Sequence, residues 1–266
     1  MVCESAPPFR LRQELASALA LWYKVNAMAL HLPLSGSVPH HVAVIMDGNR
    51  RWARERERSL DEGYRQGVNA LRATVRAAVD CGVGVVTVYG FSTENWSRDA
   101  SEVSLLMQIC AGAAQSELFG LVREHVRVRI LGDIARFPLA TRTALQQLVR
   151  ATAGNSKLTL VLALNYSGRA EIVHAIRSIA RDVGAGTLLA ENIDETLVRA
   201  RMYEPDCPDP DLLIRTGGDL RISNFLLYQL AYTELLNTEV LWPDFTEKHF
   251  CDAIAEYEHR QRRFGA

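Results

Sequence analysis

Short apolar runs alternate with longer amphipathic stretches along most of this chain. Apolar strand-like runs at 42–46, 83–90, 127–132, 158–165 and 211–214, and a last one near 239–242, predict β-strands. Between them, apolar residues recur at helical spacing near 62–80, 101–124, 140–153, 168–183, 224–235 and 247–263. Strand–helix alternation of this kind predicts an α/β fold: a single domain with a mostly parallel central sheet flanked by helices. No repeat, low-complexity tract or Pro/Gly/Ser-rich linker interrupts it. The weakest order is expected at 1–12, around Arg54–Glu62 and around Met202–Pro210.

Composition narrows the function classes. The formal net charge of the 266 residues is −1, so no global basic field favours nucleic acid, and phosphate binding has to come from local clusters. Five cysteines (Cys3, Cys81, Cys110, Cys207, Cys251) are far apart and form no CxxC pair, which argues against structural zinc and a disulfide framework. The segment Leu15 to Leu34 comes nearest to a membrane span, but Lys24, Asn26 and His31 interrupt it. It reads either as an amphipathic helix packed on the body or as a peripheral contact with a membrane surface. Met1 introduces no basic n-region and no cleavage site of the secretory kind.

The candidate chemistry gathers where the strands are expected to end. The apolar run Val42 to Met46 stops at Asp47-Gly48-Asn49, followed by Arg50, Arg51 and Trp52 at the start of a helical stretch. Ligands bind at the carboxyl ends of strands in open α/β sheets, and a helix N-terminus offers free N–H groups to an anion. Asp47 supplies a hard oxygen ligand suited to Mg²⁺, and the arginines supply forks suited to phosphate. The other strands lead to similar rims: Phe91-Ser92-Thr93-Glu94-Asn95-Trp96-Ser97-Arg98, Asn165-Tyr166-Ser167-Gly168-Arg169, and Arg215 to Asn224. One such loop alone would be ordinary turn chemistry; four on one rim are not. Arg215 and Arg221 bracket a Gly-Gly turn with Ser223 beyond it, a second cradle able to hold a diphosphate. Glu234 falls in the apolar run Leu-Ala-Tyr-Thr-Glu-Leu-Leu, read as a helix, where a carboxylate needs a salt-bridge partner or a metal. There is no P-loop, no GxGxxG after the first strand and no recognisable Ser-His-Asp set, so the chemistry implied is diphosphate binding without nucleotide hydrolysis.

With these residues in view, the chain resembles the cis-prenyltransferases, the family of undecaprenyl and dehydrodolichyl diphosphate synthases. The likeness spans roughly 38–266 and rests on His41 to Ala53, Tyr89 to Trp96, Asn165 to Arg169, Asp211 to Gly218, Arg221 to Leu227 and Leu241 to Phe245. It implies a catalytic domain at 38–266 behind an N-terminal helical extension at 1–37. It implies Mg²⁺ held by Asp47 with help from Glu234, and a first diphosphate bound by Gly48, Asn49, Arg50, Arg51 and Arg98. Asn49 and Ser92 would sit by the carbon that loses a proton, and Arg215, Arg221 and Ser223 would hold the second diphosphate. Trp52, Tyr64, Phe91, Glu94 and Trp96 are further substrate-binding candidates; Phe91, with Val88, Leu105, Leu106 and Ile109, would line a tunnel for the growing chain or belong to plain core. The tail Arg263-Phe264-Gly265 resembles an element that in relatives reaches the partner's site, so Arg263 and Gly265 join the list and a homodimer is implied.

One stretch departs from that pattern. Relatives carry an arginine three residues before a Gly-His pair, where this chain has Leu60, Gly63 and Tyr64. A charged grip on the first diphosphate is lost unless Arg56 or Arg58 replaces it, a loss worth about 1.5–3 kcal/mol per contact. Tyr228 stands where relatives have tryptophan, and Asp219 where they have glutamate. The reading that follows is a Mg²⁺-dependent enzyme joining dimethylallyl and/or isopentenyl diphosphates into a short-chain product, with head-to-middle coupling of two dimethylallyl diphosphates to lavandulyl diphosphate as the expectation. Regular cis-elongation with isopentenyl diphosphate, to neryl or longer chains, is the alternative, and a non-catalytic partner subunit a third. Ala27 to Pro39 and Arg50 resemble plant members, so a plastid address is expected, with a cytoplasmic one as the alternative.

Overall fold

The computed structural model describes residues 38–260. The expected extension at 1–37, and Arg263 and Gly265, lie outside the described residues. Within them the chain runs β1 (His41–Ile45), α1 (Asn49–Glu55), α2 (Leu60–Asp80), β2 (Val85–Ser92), α3 (Ala100–Ser116), α4 (Leu118–Arg123), β3 (Val126–Leu131), α5 (Leu139–Thr152), β4 (Leu158–Tyr166), α6 (Gly168–Gly184), α7 (Glu195–Ala200), β5 (Leu212–Arg215), β6 (Glu234–Asn237) and α8 (Glu247–His259). The six strands form one sheet in the order β3-β4-β2-β1-β5-β6, and every pairing is parallel. A parallel sheet covered on both faces needs strands that are apolar throughout. The fully buried Val42, Ala43, Val44, Val86, Val88, Leu212 and Ile214 meet that need.

Local signals set the helix starts. Ser59 and Glu62 form a reciprocal capping box at α2, Asp99 caps α3, and Ser167 caps α6. Each places an oxygen on backbone N–H groups that the first helical turn leaves without partners. The expected helix over 101–124 is broken at Glu117 into α3 and α4.

Two elements differ from the sequence-based expectation. No helix forms over 224–235, because Ser223, Asn224 and Leu226 all have positive φ and hold the chain in successive turns. The last strand is at Glu234–Asn237, not near 239–242. Residues 238–242 cross the rim of the sheet instead: Gly218 and Gly217 donate to the carbonyls of Thr238 and Val240, and Trp242 donates to that of Asp47.

The winding fixes where a ligand can sit. After β1 the chain builds β2, β3 and β4 on one side, then returns to lay β5 and β6 on the other. β1 and β5 are therefore adjacent, while the connections leaving them diverge. The crevice beyond their carboxyl ends is the topological switch point of the sheet.

His41, which opens β1, is buried to 2% exposure. Its ring makes short contacts with the Pro208 carbonyl (2.6 Å) and the Thr87 hydroxyl (2.7 Å). The first oxygen can only accept, so Nδ1 carries the proton and Nε2 accepts from Thr87. Burial pushes the imidazole pKa down to about 4, against the opposing pull of the Pro208 carbonyl and Asp211. A depressed folded-state pKa contributes stability above the unfolded value near 6.5, and that contribution is lost as pH falls toward 4. Acidification from pH 7 to pH 4 should therefore cost about 3 kcal/mol through this group alone. Urea unfolding at the two pH values checks this: His41→Gln, which cannot protonate, should lose correspondingly less.

Candidate active site

Asp47 and Arg215 project from the ends of β1 and β5, which pair in register at Ile45 and Arg215. Arg215 is only 4% exposed, and a buried guanidinium needs anionic partners. Its Nη2 donates to Asp47 Oδ2 at 2.8 Å and to Asp219 Oδ2 at 3.1 Å. Its Nη1 donates to Ser223 Oγ at 2.8 Å and to the Arg221 carbonyl. Arg221 donates to Asp219 at 2.6 Å. The structure thus brings Asp47, Arg215, Arg221 and Ser223 together and adds Asp219, which links both arginines. Burial opposes ionisation of Asp47, but the Arg215 hydrogen bond and the charges of Arg215 and Arg51 outweigh it and hold the carboxyl below its usual range.

The turn after β1 is fixed from both sides. Gly48 has φ of +120°, and a Cβ there would come within 3.0 Å of Leu241. The buried Thr216 hydroxyl accepts from the Asp47 N–H at 3.0 Å and donates to the Asp47 carbonyl at 2.7 Å. Arg51 Nη1 donates to the Gly217 carbonyl at 2.6 Å, and its Nη2 lies 3.2 Å from Asp47 Oδ1. Helix α1 begins at Asn49, so its free N–H groups face this rim. Asn49 donates to the Met46 carbonyl at 3.3 Å, whereas its Oδ1 is buried without a partner among the described residues.

Behind the rim lies a cavity of about 580 Å³, within the usual range for ligand sites. Met46, Asn49, Asn95, Tyr64 and Arg98 form its polar end. Val68, Leu71, Val75, Val88, Phe91, Leu106, Ile109, Leu148 and Leu162 carry it inward between α2, α3 and the sheet. Of the expected tunnel residues Leu105 does not line it. At the far end Arg72 meets Glu117 at 2.5 Å and Arg76 approaches Glu124 at 3.8 Å. Near the mouth, Tyr64 donates to Glu102 Oε1 at 2.6 Å, and Arg98 Nη1 donates to the same oxygen at 3.0 Å and to the Tyr64 hydroxyl at 3.1 Å. Arg50 Nε lies 3.8 Å from the other Glu102 oxygen. Burial, reinforced by the Glu102 hydrogen bond, pushes the Tyr64 phenol well above its ordinary pKa.

Several candidate residues are engaged elsewhere. Trp52 donates to Asp244 at 2.8 Å and lies under the Arg56 guanidinium; Arg56 itself pairs with Asp244 at 2.7 Å, and Arg58 with Glu62 at 3.3 Å. Trp96 donates to Asn165 at 2.7 Å and packs on Phe91 and Phe137. Glu94 accepts from Asn224 at 2.7 Å. Ser92 is at the end of β2, its N–H bound to Asn95 Oδ1 at 3.0 Å. Trp52, Glu94, Trp96 and Ser92 do not line the cavity; Tyr64, Phe91, Asn49 and Arg98 do. Glu234 needs a larger correction. It opens β6 in register with Leu212, which is itself in register with Val42. That places it roughly 10 Å back along the strands from the catalytic rim. It accepts from Arg260 at 3.1 Å, and within one chain it cannot share a metal ion with Asp47.

Sequence reading passed over Glu102, Asn95, Thr216 and the close fit of Gly67. Thr216 lay inside a quoted motif, but nothing in a single sequence marks Glu102, 38 positions from Tyr64, as its partner. No three His, Cys, Asp or Glu side chains converge as a ready metal site among the described residues. The Asp47 carboxylate beside the open rim does fit Mg²⁺, which keeps several waters and binds through one or two carboxylates plus substrate phosphates.

Comparison with known proteins agrees with this geometry. Residues 45–265 match the family model described as "Putative undecaprenyl diphosphate synthase". An isoprenyl transferase of Agrobacterium fabrum is 50% identical over 86% of this chain and 93% of its own length. A ditrans,polycis-undecaprenyl-diphosphate synthase of Xanthomonas axonopodis, (2E,6E)-farnesyl-diphosphate specific, is 47% identical over 89% and 92%. Among solved structures, lavandulyl diphosphate synthase from Lavandula x intermedia in complex with dimethylallyl diphosphate matches with a TM-score of 0.84 and 36% identity, covering 86% of this chain and 99% of that one. The curated relatives at 46–50% identity are bacterial proteins, and this overturns the expected plastid address.

The fit of Gly67 yields a test of the rim. A Cβ there would lie 2.4 Å from Asn49 Oδ1 and 3.1 Å from Trp242. In an ordinary helix interior Gly→Ala stabilises by about 1 kcal/mol. Here crowding offsets that gain, and the Asn49 amide has to move. Gly67→Ala should leave the melting temperature within about 4 °C while lowering kcat/KM by roughly tenfold or more.

Proposed function

The chain belongs to the cis-prenyltransferase family, and on that premise we propose that it extends an allylic prenyl diphosphate by regular addition of isopentenyl diphosphate units, releasing diphosphate. The observation that carries this reading is the depth of the apolar cavity: it begins at Asn49 and Arg98 and continues past Val75 and Leu148 to α4. Coupling two five-carbon units would leave most of that apolar surface without a partner.

The roles divide between the two cradles. The α1 N-terminus, Arg50, Arg51 and Arg98 bind the first diphosphate beside Asn49. Arg215, Arg221 and Ser223 bind the second. The double bond of the homoallylic substrate attacks the allylic carbon, the first diphosphate leaves with the electrons of the C–O bond, and a proton is lost from the new chain near Asn49 and Ser92. Mg²⁺, held by Asp47 together with substrate oxygens, would neutralise charge on the departing diphosphate. Arg215 pairs with Asp47; a diphosphate in the second cradle offers the Arg215 N–H groups a competing anion, which would leave the Asp47 oxygens to the cation. Residues 38–266 act as the catalytic domain. The exposed Tyr232 and Leu235, beside and on the edge strand β6, favour assembly as a homodimer.

A second reading, head-to-middle coupling of two dimethylallyl diphosphates, is favoured by Leu60 and Tyr64 at the first-diphosphate wall and by the likeness to the lavender synthase. Product analysis separates the two. With Mg²⁺ and a C5 or C15 allylic diphosphate, chains should lengthen only when isopentenyl diphosphate is added. Efficient lavandulyl diphosphate formation from dimethylallyl diphosphate alone would replace the first reading with the second, and Leu60→Arg should then shift the products toward regular elongation. In either case Asp47→Ala should lower Mg²⁺-dependent diphosphate release by about 10²–10³-fold or more, read by a coupled phosphate assay.

A further inference from the structure

The three-residue cluster at the cavity mouth has a feature that the diphosphate cradles alone do not need. Glu102, in the first turn of α3, is buried to 5% exposure. It sits where Tyr64 of α2, Arg98 at the entry to α3, and Arg50 of α1 converge. A carboxylate this buried has to be met by donors. The Tyr64 oxygen, the Arg98 Nη1 and the Glu102 Oε1 form a closed triangle with sides of 2.6, 3.0 and 3.1 Å. One phenolic oxygen can both donate to Glu102 and accept from Arg98; neither nitrogen of an imidazole can do both at once. Held through Nη1, Arg98 keeps its Nε–H and Nη2–H groups without partners among the described residues, and it lines the cavity together with Tyr64.

We propose that Tyr64 is a positioning residue for the allylic substrate: its hydroxyl locks Arg98 against Glu102 and so fixes the edge that Arg98 presents to the first diphosphate. The proposal rests on the assignment of Arg98 to that diphosphate. It does not depend on whether elongation is regular or irregular. Without the hydroxyl the Arg98–Glu102 pair persists, four residues apart across the start of α3, but one of the two bonds that set the guanidinium plane is gone. The wall also becomes independent of pH near neutrality, because a phenol stays neutral where an imidazole would titrate.

The test is direct binding of non-ionising thiolodiphosphate analogues, which reads the site without turnover and so separates this proposal from the product question. Calorimetric titration of dimethylallyl S-thiolodiphosphate should show about a tenfold loss of affinity in Tyr64→Phe, the effect of one hydrogen bond within a charged group. The isopentenyl analogue, held in the other cradle, should stay within about twofold. Steady-state kinetics should show the allylic KM rising more than the isopentenyl KM. Tyr64→His should keep part of the polar contact and make allylic affinity rise as pH falls from 8 to 6, relative to the parent protein, whose own slope comes from titration of the diphosphate. An allylic affinity unchanged in Tyr64→Phe, equal losses on both analogues, or no added pH slope in Tyr64→His would overturn the proposal. Should Tyr64→Phe melt too early to titrate, the Tyr64→His profile decides alone.

Discussion

A guanidinium buried between two strands organises this site. Arg215 ends β5 with almost no solvent contact and must be surrounded by anions and acceptors. Asp47 arrives from the adjacent strand, Asp219 from the Gly-Gly turn, and Ser223 from the following loop. Each is placed by the parallel pairing of β1 with β5 and by the Thr216 hydroxyl that holds the Asp47 backbone. A parallel sheet puts all strand ends on one rim, and the switch in winding direction opens that rim between β1 and β5. The demand of one buried cation thus couples the turn from Asp219 to Ser223 to the carboxylate that follows β1.

The same demand sets the competition that any incoming anion meets. Every strong acceptor near Arg215 is a protein group that a diphosphate can outcompete only with several charged oxygens at once. A neutral ligand, or one with a single negative charge, offers less than Asp47 and Asp219 already provide. In the proposed reaction, selectivity for diphosphates follows from the existing ion pairs as much as from the open donors.

Much of this was legible in the sequence, and the exceptions have physical causes. The parallel sheet followed from strands that are apolar on both faces, and the segment from Asp47 to Arg51 could be read because a strand end, a turn and a helix start coincide within five residues. Glu234 was misplaced because Leu-Ala-Tyr-Thr-Glu-Leu-Leu carries helical periodicity, while the positive φ at Ser223, Asn224 and Leu226 that prevents the helix is set by tertiary contacts: Gly168 donates to the Asn224 carbonyl, and Asn224 accepts from the Arg169 N–H. Glu102 escaped notice for a different reason. Its burial depends on α2 packing beside α3, and helix packing leaves no signature in the spacing of charged residues.

The division between polar rim and apolar cavity separates two kinds of evolutionary freedom. The rim is built from strand ends and turns, where a shift of one residue would reverse every side chain, so the diphosphate chemistry is rigidly specified. The cavity is bounded by α2, α3 and α4, whose inward residues are interchangeable apolar groups, and its far end is closed by side chains as flexible as Arg72 and Arg76. In the proposed reaction, reaction class and product length are therefore set by different parts of the molecule. Tyr64 stands at their junction: its ring belongs to the apolar wall and its hydroxyl to the charged rim. A substitution there reaches the Arg98–Glu102 pair and the apolar wall at once.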